Sequence, residues 1–401
     1  MSLPHTSLSP RRANLTLATL FLGMFVLGSA ELLVVGVLNL IAADLQVSIP
    51  AAGTLVTAYA LGLAIGGPIL TALTINVNKR TILIGTLTLF ILGNLVAVLT
   101  ASYGLFLVAR TLTGALQGLF IASAFGAGIS VVPPQRMGRA MAVIISGVAV
   151  SAALGVPLGT LVGQSLGWRG SFTAVVVLAL LTLITTLFLV PSVPSTGGGA
   201  SNQVKYAFAP RVLAVLALNF LVFAALYAAL TYIVPFLEGV TGISGASLSV
   251  FLLAYGAATA VGSFFGGRFA DQNASRTLIV ATIGAAVSTL ALYVVGTVAF
   301  LVPLVLLAWG VFSFGMVPSL QYRVIRLAGP GGALAQSLPV SAANVGIAFG
   351  SVAGGVAIGS FTASSAVITG LFIALIAIVV AWATSFLTPP AVDAEPAPVP
   401  A

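Results

Sequence analysis

Long runs of apolar residues alternate with short segments that carry most of the polar and charged side chains. Each run reaches the roughly 20 residues that a helix needs to cross about 30 Å of hydrocarbon at a rise of about 1.5 Å per residue. Six runs precede a polar stretch near the middle of the sequence, and six follow it. The pattern predicts an all-α membrane protein with twelve transmembrane helices in two six-helix bundles.

The limits of the apolar runs give the limits of the predicted helices. They are 15–41, 51–74, 81–100, 103–131, 140–163 and 171–190, and then 212–236, 246–267, 277–298, 301–325, 333–361 and 364–386. We therefore expect a cytoplasmic leader at 1–14, bundles at 15–190 and 211–388, a cytoplasmic linker at 191–210 and a disordered tail at 389–401. Gly, Ser and Pro indicate the linker, and alternating Pro and Ala the tail.

The composition excludes several other classes of protein. Only 5% of the residues are charged and 60% are hydrophobic, whereas roughly a quarter are charged in soluble domains. The short alternating strands of an outer-membrane barrel are absent from the pattern. The sequence has no cysteine, no His cluster, no paired carboxylates and no phosphate-binding loop, so we expect neither an enzyme nor a cofactor.

The positive charges predict the orientation rather than a nucleic-acid partner, although the formal net charge is +8. With a cytoplasmic N-terminus, twelve basic residues fall on the cytoplasmic side and Arg169 alone on the other. The twelve are Arg11, Arg12, Lys79, Arg80, Arg136, Arg139, Lys205, Arg211, Arg268, Arg276, Arg323 and Arg326. We expect both termini in the cytoplasm of a cell whose inner or plasma membrane holds the chain. The first apolar run exceeds a signal-peptide core, so we expect no cleaved leader.

The two halves of the sequence resemble each other. A shift of 196 residues aligns Tyr59 with Tyr255 and Arg80 with Arg276, and a shift of 195 aligns Gly155 with Gly350. Repeats in the same orientation, with a substrate site between them near the middle of the bilayer, are typical of one class of secondary transporter.

An acid and a base lie within predicted helices. Arg110 in the fourth helix costs about 2.5 kcal/mol or more in lipid unless it meets an acid or water. Glu31 is the acid well inside a predicted span, at a similar depth, and is the candidate partner. Burial favours the neutral carboxyl and Arg110 the ionised one, so the proton affinity of Glu31 would change with access of water or substrate. We interpret the pair as a proton-coupling site, the alternative being a static structural pair.

Three local motifs carry a family resemblance. The loop that starts with residues 67–73 and ends at Lys79 and Arg80 resembles the loop signature of the major facilitator superfamily. Ile75 and Asn76 stand where the signature usually has aspartate and arginine. Residues 110–118 match its Arg-x-x-x-Gly motif. The stretch with Gly155, Pro157 and Gly159 resembles the antiporter motif of its proton-driven drug exporters. The chain as a whole is similar to the twelve-span drug:proton antiporter branch, including sugar-efflux and chloramphenicol-exporter members.

The resemblance implies a cavity lined by the first, fourth, seventh and tenth helices. Candidate substrate-binding residues, besides Glu31, are Asn39, Gln117, Phe120, Asn219, Phe223, Tyr227, Tyr232, Trp309, Phe312 and Asn344. Candidate gating residues are Tyr59, Gly155, Pro157, Gly159, Tyr255, Arg268 and Asp271. Asp271 would pair with Arg268 or Arg276 as a cytoplasmic latch, or would be a solvated loop charge.

The resemblance and the apolar, aromatic candidates together imply a monomeric, proton-coupled exporter of small neutral or amphiphilic compounds such as drugs. The proton gradient would be its energy source, and its partners would be the substrate, protons and the lipid bilayer. Sugar efflux or facilitated sugar transport by the same fold is the alternative, although sugars usually require more polar side chains. A non-transporting membrane sensor is a further alternative, as is a channel, which the repeat disfavours.

Overall fold

The computed structural model describes residues 9–133, 136–193, 205–206, 208–329, 335 and 338–390. Ten helices in these ranges are long and apolar enough to cross a membrane. His5, most of the predicted linker (194–204 and 207) and residues 391–401 of the predicted tail lie outside the described residues. The predicted domain limits therefore remain predictions.

Two of the ten helices correspond to two predicted spans each. The helices are α1 Pro10–Asp44, α2 Ile49–Leu73, α3 Lys79–Leu99, α4 Tyr103–Ser130, Arg139–Leu189 (α5 and α6), α7 Pro210–Leu230, Ala246–Val295 (α8 and α9), α10 Val302–Ala328, α11 Leu338–Ser360 and α12 Ala363–Ser385. The two long ones contain 51 and 50 residues, far more than about 20 residues for one crossing.

The first long helix reverses direction at Gly167. This glycine has φ 76° and ψ 163°, a backbone conformation that a residue with a Cβ rarely adopts. The Ser171 hydroxyl donates to the Gly159 carbonyl oxygen at 2.6 Å, whereas twelve residues of straight helix would separate them by about 18 Å. Gly167 therefore divides α5 (139–166) from α6 (168–189).

The second long helix reverses at Asn273, which has φ −157° and ψ 91°. Gly262 lies against Val311 of α10, and Gly284 lies against the adjacent Phe312. In a straight helix Gly262 and Gly284 would be about 33 Å apart. Asn273 therefore divides α8 (246–272) from α9 (274–295), and the twelve predicted crossings are confirmed.

The helix ends differ from the predicted ends because helices continue beyond the apolar runs into capped polar turns. For example, α3 begins at Lys79, where the Asn78 side chain accepts from the Arg80 N–H at 3.0 Å. The seventh predicted span, 212–236, is interrupted after Leu230. It resumes as a short helix, Ile233–Phe236, followed by a π-helical turn, Leu237–Thr241.

Glycines at equivalent positions bring equivalent helices into backbone contact in the two halves. On α4, Gly114 lies against the Tyr59 carbonyl of α2, and on α10, Gly310 lies against the Tyr255 carbonyl of α8. Both residues of the second pair follow those of the first by 196 positions. The internal repeat thus has a structural counterpart, and the two bundles are related by pseudo-symmetry.

The α1–α5 and α7–α11 contacts repeat in the same way. Gly155 and Gly159 of α5 lie against Ser29 and Leu33 of α1. Their counterparts at a shift of 195, Gly350 and Gly354 of α11, lie against the carbonyls of Ala224 and Ala228 of α7. Small residues allow such close approach between helices in lipid, where packing rather than water exclusion drives association.

We predict that Gly114→Val lowers thermal stability, because the added Cβ would collide with the Tyr59 backbone, which cannot move aside like a flexible side chain. Overpacking of this kind costs about 1–3 kcal/mol. The check is the melting temperature in detergent, followed by size-exclusion chromatography. Gly85→Val is the matched control, because a Cβ on Gly85 meets nothing within 4 Å. Equal losses in both variants would contradict the proposed contact.

Candidate functional site

A chain of side-chain hydrogen bonds links α1, α2 and α4 around Glu31. The Gln117 amide nitrogen donates to a carboxylate oxygen of Glu31 at 2.6 Å. The Tyr59 hydroxyl donates to the Gln117 amide oxygen at 2.5 Å. Tyr59 and Gln117 are 1% and 2% exposed, whereas Glu31 is half-buried. The amide is therefore held with its N–H toward the carboxylate, within the membrane-spanning part of the bundle.

Arg110 connects the same three helices through main-chain oxygens. Its guanidinium donates to the carbonyls of Ala30 at 2.8 Å, Glu31 at 3.1 Å and Leu55 at 3.4 Å. It also lies over the Tyr59 ring, with Cζ 4.0 Å from the centroid. These bonds offset part of the cost of a buried cation in lipid.

The structure brings the predicted pair together but shows a different contact from the expected one. Arg110 binds the main-chain carbonyl of Glu31, and the Glu31 carboxylate binds Gln117. Arg169 and Asp44 form the one ion pair among the described residues. Asp44 is the last residue of α1. The Glu31 carboxylate is therefore held by a neutral amide.

A cavity of about 30 Å³ lies between the two bundles, beside Glu31. Its lining comprises Leu32, Val35, Ala152, Val156, Tyr227, Leu230, Leu252, Tyr255 and Phe314. Leu32 follows Glu31 directly, and Val35 lies one helical turn beyond it on the same face. A space of this size holds water rather than a drug-sized compound, so substrate binding requires the bundles to move apart here.

Two of the predicted tyrosines supply hydroxyl groups to this cavity. Tyr227 and Tyr255 are 4% and 8% exposed, and the Tyr255 hydroxyl has no hydrogen-bond partner among the described residues. Tyr255 also packs its ring on Trp309, 5.3 Å between centroids. A buried hydroxyl without a hydrogen-bond partner costs free energy. A ligand or water that accepted a hydrogen bond from the Tyr255 hydroxyl would remove this cost.

A second set of contacts joins the bundles near the C-terminal end of α1. The Asn39 amide of α1 donates to the Glu238 carboxylate, in the turn that follows α7. Close by, Tyr232 donates to the Ser351 carbonyl at 2.8 Å and lies against Gly53 at the start of α2. Asn39 and Tyr232 are therefore at an interface between the bundles rather than in the cavity.

Proline and glycine residues shape α5 at the level of the cavity. A π-helical turn, Ser151–Gly155, directly precedes Val156 and Pro157. Proline lacks the N–H that would bond to Ala153, so the local bonding shifts from the α to the π pattern. Ala152, within this turn, and Val156, directly after it, both line the cavity.

The remaining predicted site residues lie elsewhere in the structure. Asn219 donates to the Pro339 carbonyl at 2.6 Å and joins α7 to α11. Phe120 packs against Gly23 of α1. Asn344 donates to the Val340 carbonyl of its own helix at 3.0 Å. Asn219 and Phe120 thus hold helices together, and none of the three side chains lines the cavity.

Three predicted aromatic residues belong to the interior or the side of the second bundle. Trp309 lines a separate space of about 20 Å³ among α7, α9, α10 and α12. Phe312 lines a cleft on the side of this bundle, and Phe223 packs within its core. Asp271 and Arg268 are exposed, and the described residues show no ion pair for either.

The cavity residues that the sequence analysis missed are apolar. Leu32, Val35, Leu230, Leu252 and Phe314 carry no signal that distinguishes them from lipid-facing or packing residues in a chain of this composition. Glu238 was missed as an interface residue because it lies outside the predicted helix 212–236. The register of the repeat, which relates α2 to α8, could have indicated Leu252 through its neighbour Tyr255.

Twelve crossings within the described residues, in two repeated bundles with a cavity between them, are typical of a membrane transporter. The family model described as Major Facilitator Superfamily matches residues 20–337. The chain therefore belongs to the Major Facilitator Superfamily.

Similar proteins include transporters and one resistance protein. The inner membrane transport protein YdhP of Escherichia coli K12 is 32% identical over 351 residues, covering 86% of this chain and 90% of YdhP. A chloramphenicol resistance protein of Streptomyces lividans is 33% identical over 243 residues, covering 59% of this chain and 62% of that protein. A bacterial homologue of the human lysosomal transporter Spinster has a similar fold, with a TM-score of 0.83 at 15% identity, covering 94% and 98%.

We predict that Arg110→Leu destabilises the first bundle, because the carbonyls of Ala30, Glu31 and Leu55 lose their shared donor. The expected loss is about 1–3 kcal/mol, measured as a lower melting temperature in detergent. Thr111→Leu is the control, because Thr111 is exposed and its hydroxyl donates within its own helix. An Arg110→Leu protein as stable as the Thr111→Leu protein would contradict a structural role for these bonds.

Proposed function

We propose that this protein is a proton-coupled exporter of small neutral or amphiphilic compounds that works by alternating access. We place it in the inner or plasma membrane with both termini in the cytoplasm, as the distribution of Lys and Arg predicts. The observation that carries the proposal is the half-buried Glu31 carboxylate. It is held by the Gln117 amide and lies beside the cavity between the bundles.

Glu31 has the surroundings that a proton-binding residue requires. Its carboxylate has no cation within ion-pair distance among the described residues, so protonation breaks no ion pair. Gln117 can donate to the ionised carboxylate, whereas a protonated carboxyl can donate its own hydrogen bond. In the proposed cycle Glu31 takes a proton from the outer side, substrate is released, and the proton is lost to the cytoplasm.

The distribution of buried apolar residues supports movement between the bundles. One core cluster runs through the first bundle and continues into one end of the second. Its members there are buried residues between 226 and 255, and further residues of α9 to α12 such as Leu292, Trp309, Ile347 and Val367. A second cluster, with Val212, Leu278 and Leu320 among its members, fills the other end of the second bundle by itself. With cytoplasmic termini, the bundles are joined on the outer side and have separate cores on the cytoplasmic side. This arrangement corresponds to an inward-facing state.

The cavity lining favours a weakly polar substrate. Seven of its nine lining residues are apolar, and Tyr227 and Tyr255 add two hydroxyls. An apolar cavity with few polar groups suits an amphiphilic compound. The similarity to a chloramphenicol resistance protein supports the same class of substrate. A sugar would need hydrogen-bond partners for several hydroxyls, so sugar efflux is the second candidate.

The first test measures transport in liposomes with an imposed proton gradient, using chloramphenicol and arabinose as probes. We predict gradient-driven chloramphenicol movement by the wild type. In Glu31→Gln, a neutral side chain that cannot carry a proton, we expect at least a tenfold loss of gradient-driven movement with substrate binding retained. Thr111→Leu is the control, because Thr111 is exposed and its hydroxyl donates within its own helix.

Three results would overturn parts of this proposal. Chloramphenicol movement that does not depend on the proton gradient and is unchanged by Glu31→Gln would indicate a facilitator in which Glu31 has a structural role. Gradient-driven movement of arabinose alone would support sugar efflux. Equal losses in Glu31→Gln and Thr111→Leu would show that the effect is not specific to Glu31.

Alternating access also predicts that a bridge across the outer contact stops transport. The natural sequence has no cysteine, so Asn39→Cys and Glu238→Cys can be combined and joined by a short, reducible thiol cross-linker. Their wild-type side chains are in contact across the two bundles. We expect transport to fall to background after cross-linking and to return after reduction. Each single variant is the control, and transport by the cross-linked double variant would contradict opening at this contact.

A further inference from the structure

A cleft of about 500 Å³ opens on the side of the second bundle, away from the cavity described above. It is formed by α8, α9 and α10. Its lining comprises Gly262, Phe265, Gly266, Phe269, Gln272, Asn273, Arg276, Thr277, Val280, Ala281, Val311, Phe312 and Gly315. The glycines form its floor where α8 and α10 touch, because Gly262 lies against Val311 and Gly266 against Gly315.

The walls of the cleft are apolar and exposed. Phe265, Phe269 and Val280 are 46%, 52% and 53% exposed, and they lie on helices long and apolar enough to cross the membrane. The cleft follows α8 from Gly262 to Asn273, eleven residues or about 16 Å of helix. This length is close to half of the roughly 30 Å hydrocarbon thickness. The cleft therefore matches the depth of one leaflet.

The mouth of the cleft, at the turn between α8 and α9, is polar and cationic. Gln272, Asn273 and Arg276 lie there. Asn273 caps α9, since its side chain accepts from the Arg276 N–H at 3.0 Å, and the N-terminal end of a helix carries a partial positive charge. This turn has a net positive charge, because it carries Arg268 and Arg276 and one acid, Asp271. The position predicted for the turn is the cytoplasmic surface, where anionic headgroups are found.

The repeat offers a contrast between two arginines. Arg80, the counterpart of Arg276 at a shift of 196, donates from its guanidinium to the Leu187 carbonyl at 2.5 Å. The Arg276 guanidinium is exposed and makes no hydrogen bond or ion pair to any residue that the structure describes. The first bundle thus uses its arginine to hold α6, whereas the second presents its arginine at the mouth of a cleft.

We propose that this cleft binds a phospholipid with an anionic headgroup. One acyl chain lies along Phe265, Phe269 and Phe312, and the phosphate is held by Arg276 and the first turn of α9. Basic pockets between transmembrane helices on the cytoplasmic side are a known setting for such headgroups. This site is distinct from the Glu31 site and does not depend on the proposed transport function.

The test is native mass spectrometry of the full-length protein, stripped of lipid in detergent and titrated with phosphatidylglycerol or phosphatidylcholine. We expect one phosphatidylglycerol to bind roughly fivefold more tightly than phosphatidylcholine, the effect of about one basic residue at a membrane surface. Arg276→Ala should remove this preference. Arg268→Ala is the control, since Arg268 belongs to the same turn but does not line the cleft.

A second pair of variants tests the apolar part of the site. Val280→Phe should fill the cleft and lower the affinity for both lipids, whereas Val287→Phe should not. Val287 lies two turns along the same face of α9, is 59% exposed and does not line the cleft. Melting temperatures close to that of the wild type would show that these exposed substitutions leave the fold intact.

Several outcomes would overturn the proposal. Equal affinity for the two lipids, or equal losses in Arg276→Ala and Arg268→Ala, would exclude recognition of the headgroup by this site. Competition by inorganic phosphate as effective as that by phosphatidylglycerol would indicate an anion site without an acyl chain. A dimer that Val280→Phe dissociates, with no change in lipid binding, would identify a second copy of the chain as the occupant.

Discussion

Backbone contact between helices at glycine is the constraint on which the rest of the structure depends. In lipid, apolar side chains gain little by leaving the solvent, so helices associate through close packing and interhelical hydrogen bonds. The α1–α5, α2–α4, α7–α11 and α8–α10 contacts all use glycine to bring one helix against its neighbour. A larger side chain at Gly114 or Gly350 would separate a pair of helices and displace what they hold between them.

The hydrogen bonds around Glu31 depend on this packing. Gly114 sets the distance between α2 and α4, the two helices that carry Tyr59 and Gln117. Arg110 then secures α1 through the carbonyls of Ala30 and Glu31. The Glu31 carboxylate accepts a hydrogen bond from Gln117 and lies beside the cavity. A structural arginine and an acid can therefore be adjacent in one bundle without forming a direct ion pair.

The sequence predicted the crossings and the repeat because both follow from periodic, one-dimensional features. The span lengths follow from membrane thickness, and a shift of 196 residues placed Tyr59 on Tyr255, which occupy equivalent positions in the structure. Side-chain partners were less predictable, because depth in the membrane does not give the direction of a side chain. Arg110 was expected to meet the Glu31 carboxylate and meets main-chain oxygens instead. Asn219 and Phe120 lie on the expected helices but face neighbouring helices, and the apolar cavity residues have no distinguishing chemistry.

The repeat also shows which side chains of the first bundle have no equivalent in the second bundle. At the shifts that relate the glycine contacts, Leu226 stands in the place of Glu31, Leu306 in that of Arg110 and Ser313 in that of Gln117. Leu226 and Ser313 line the small space inside the second bundle. The second half therefore keeps the frame of the first but has no counterpart of Glu31 or Arg110. With the coupling proposed for Glu31, this asymmetry places one carboxylate at that level of the membrane and allows one proton per cycle there. The substrate gradient that such a cycle could sustain would then depend on that single proton.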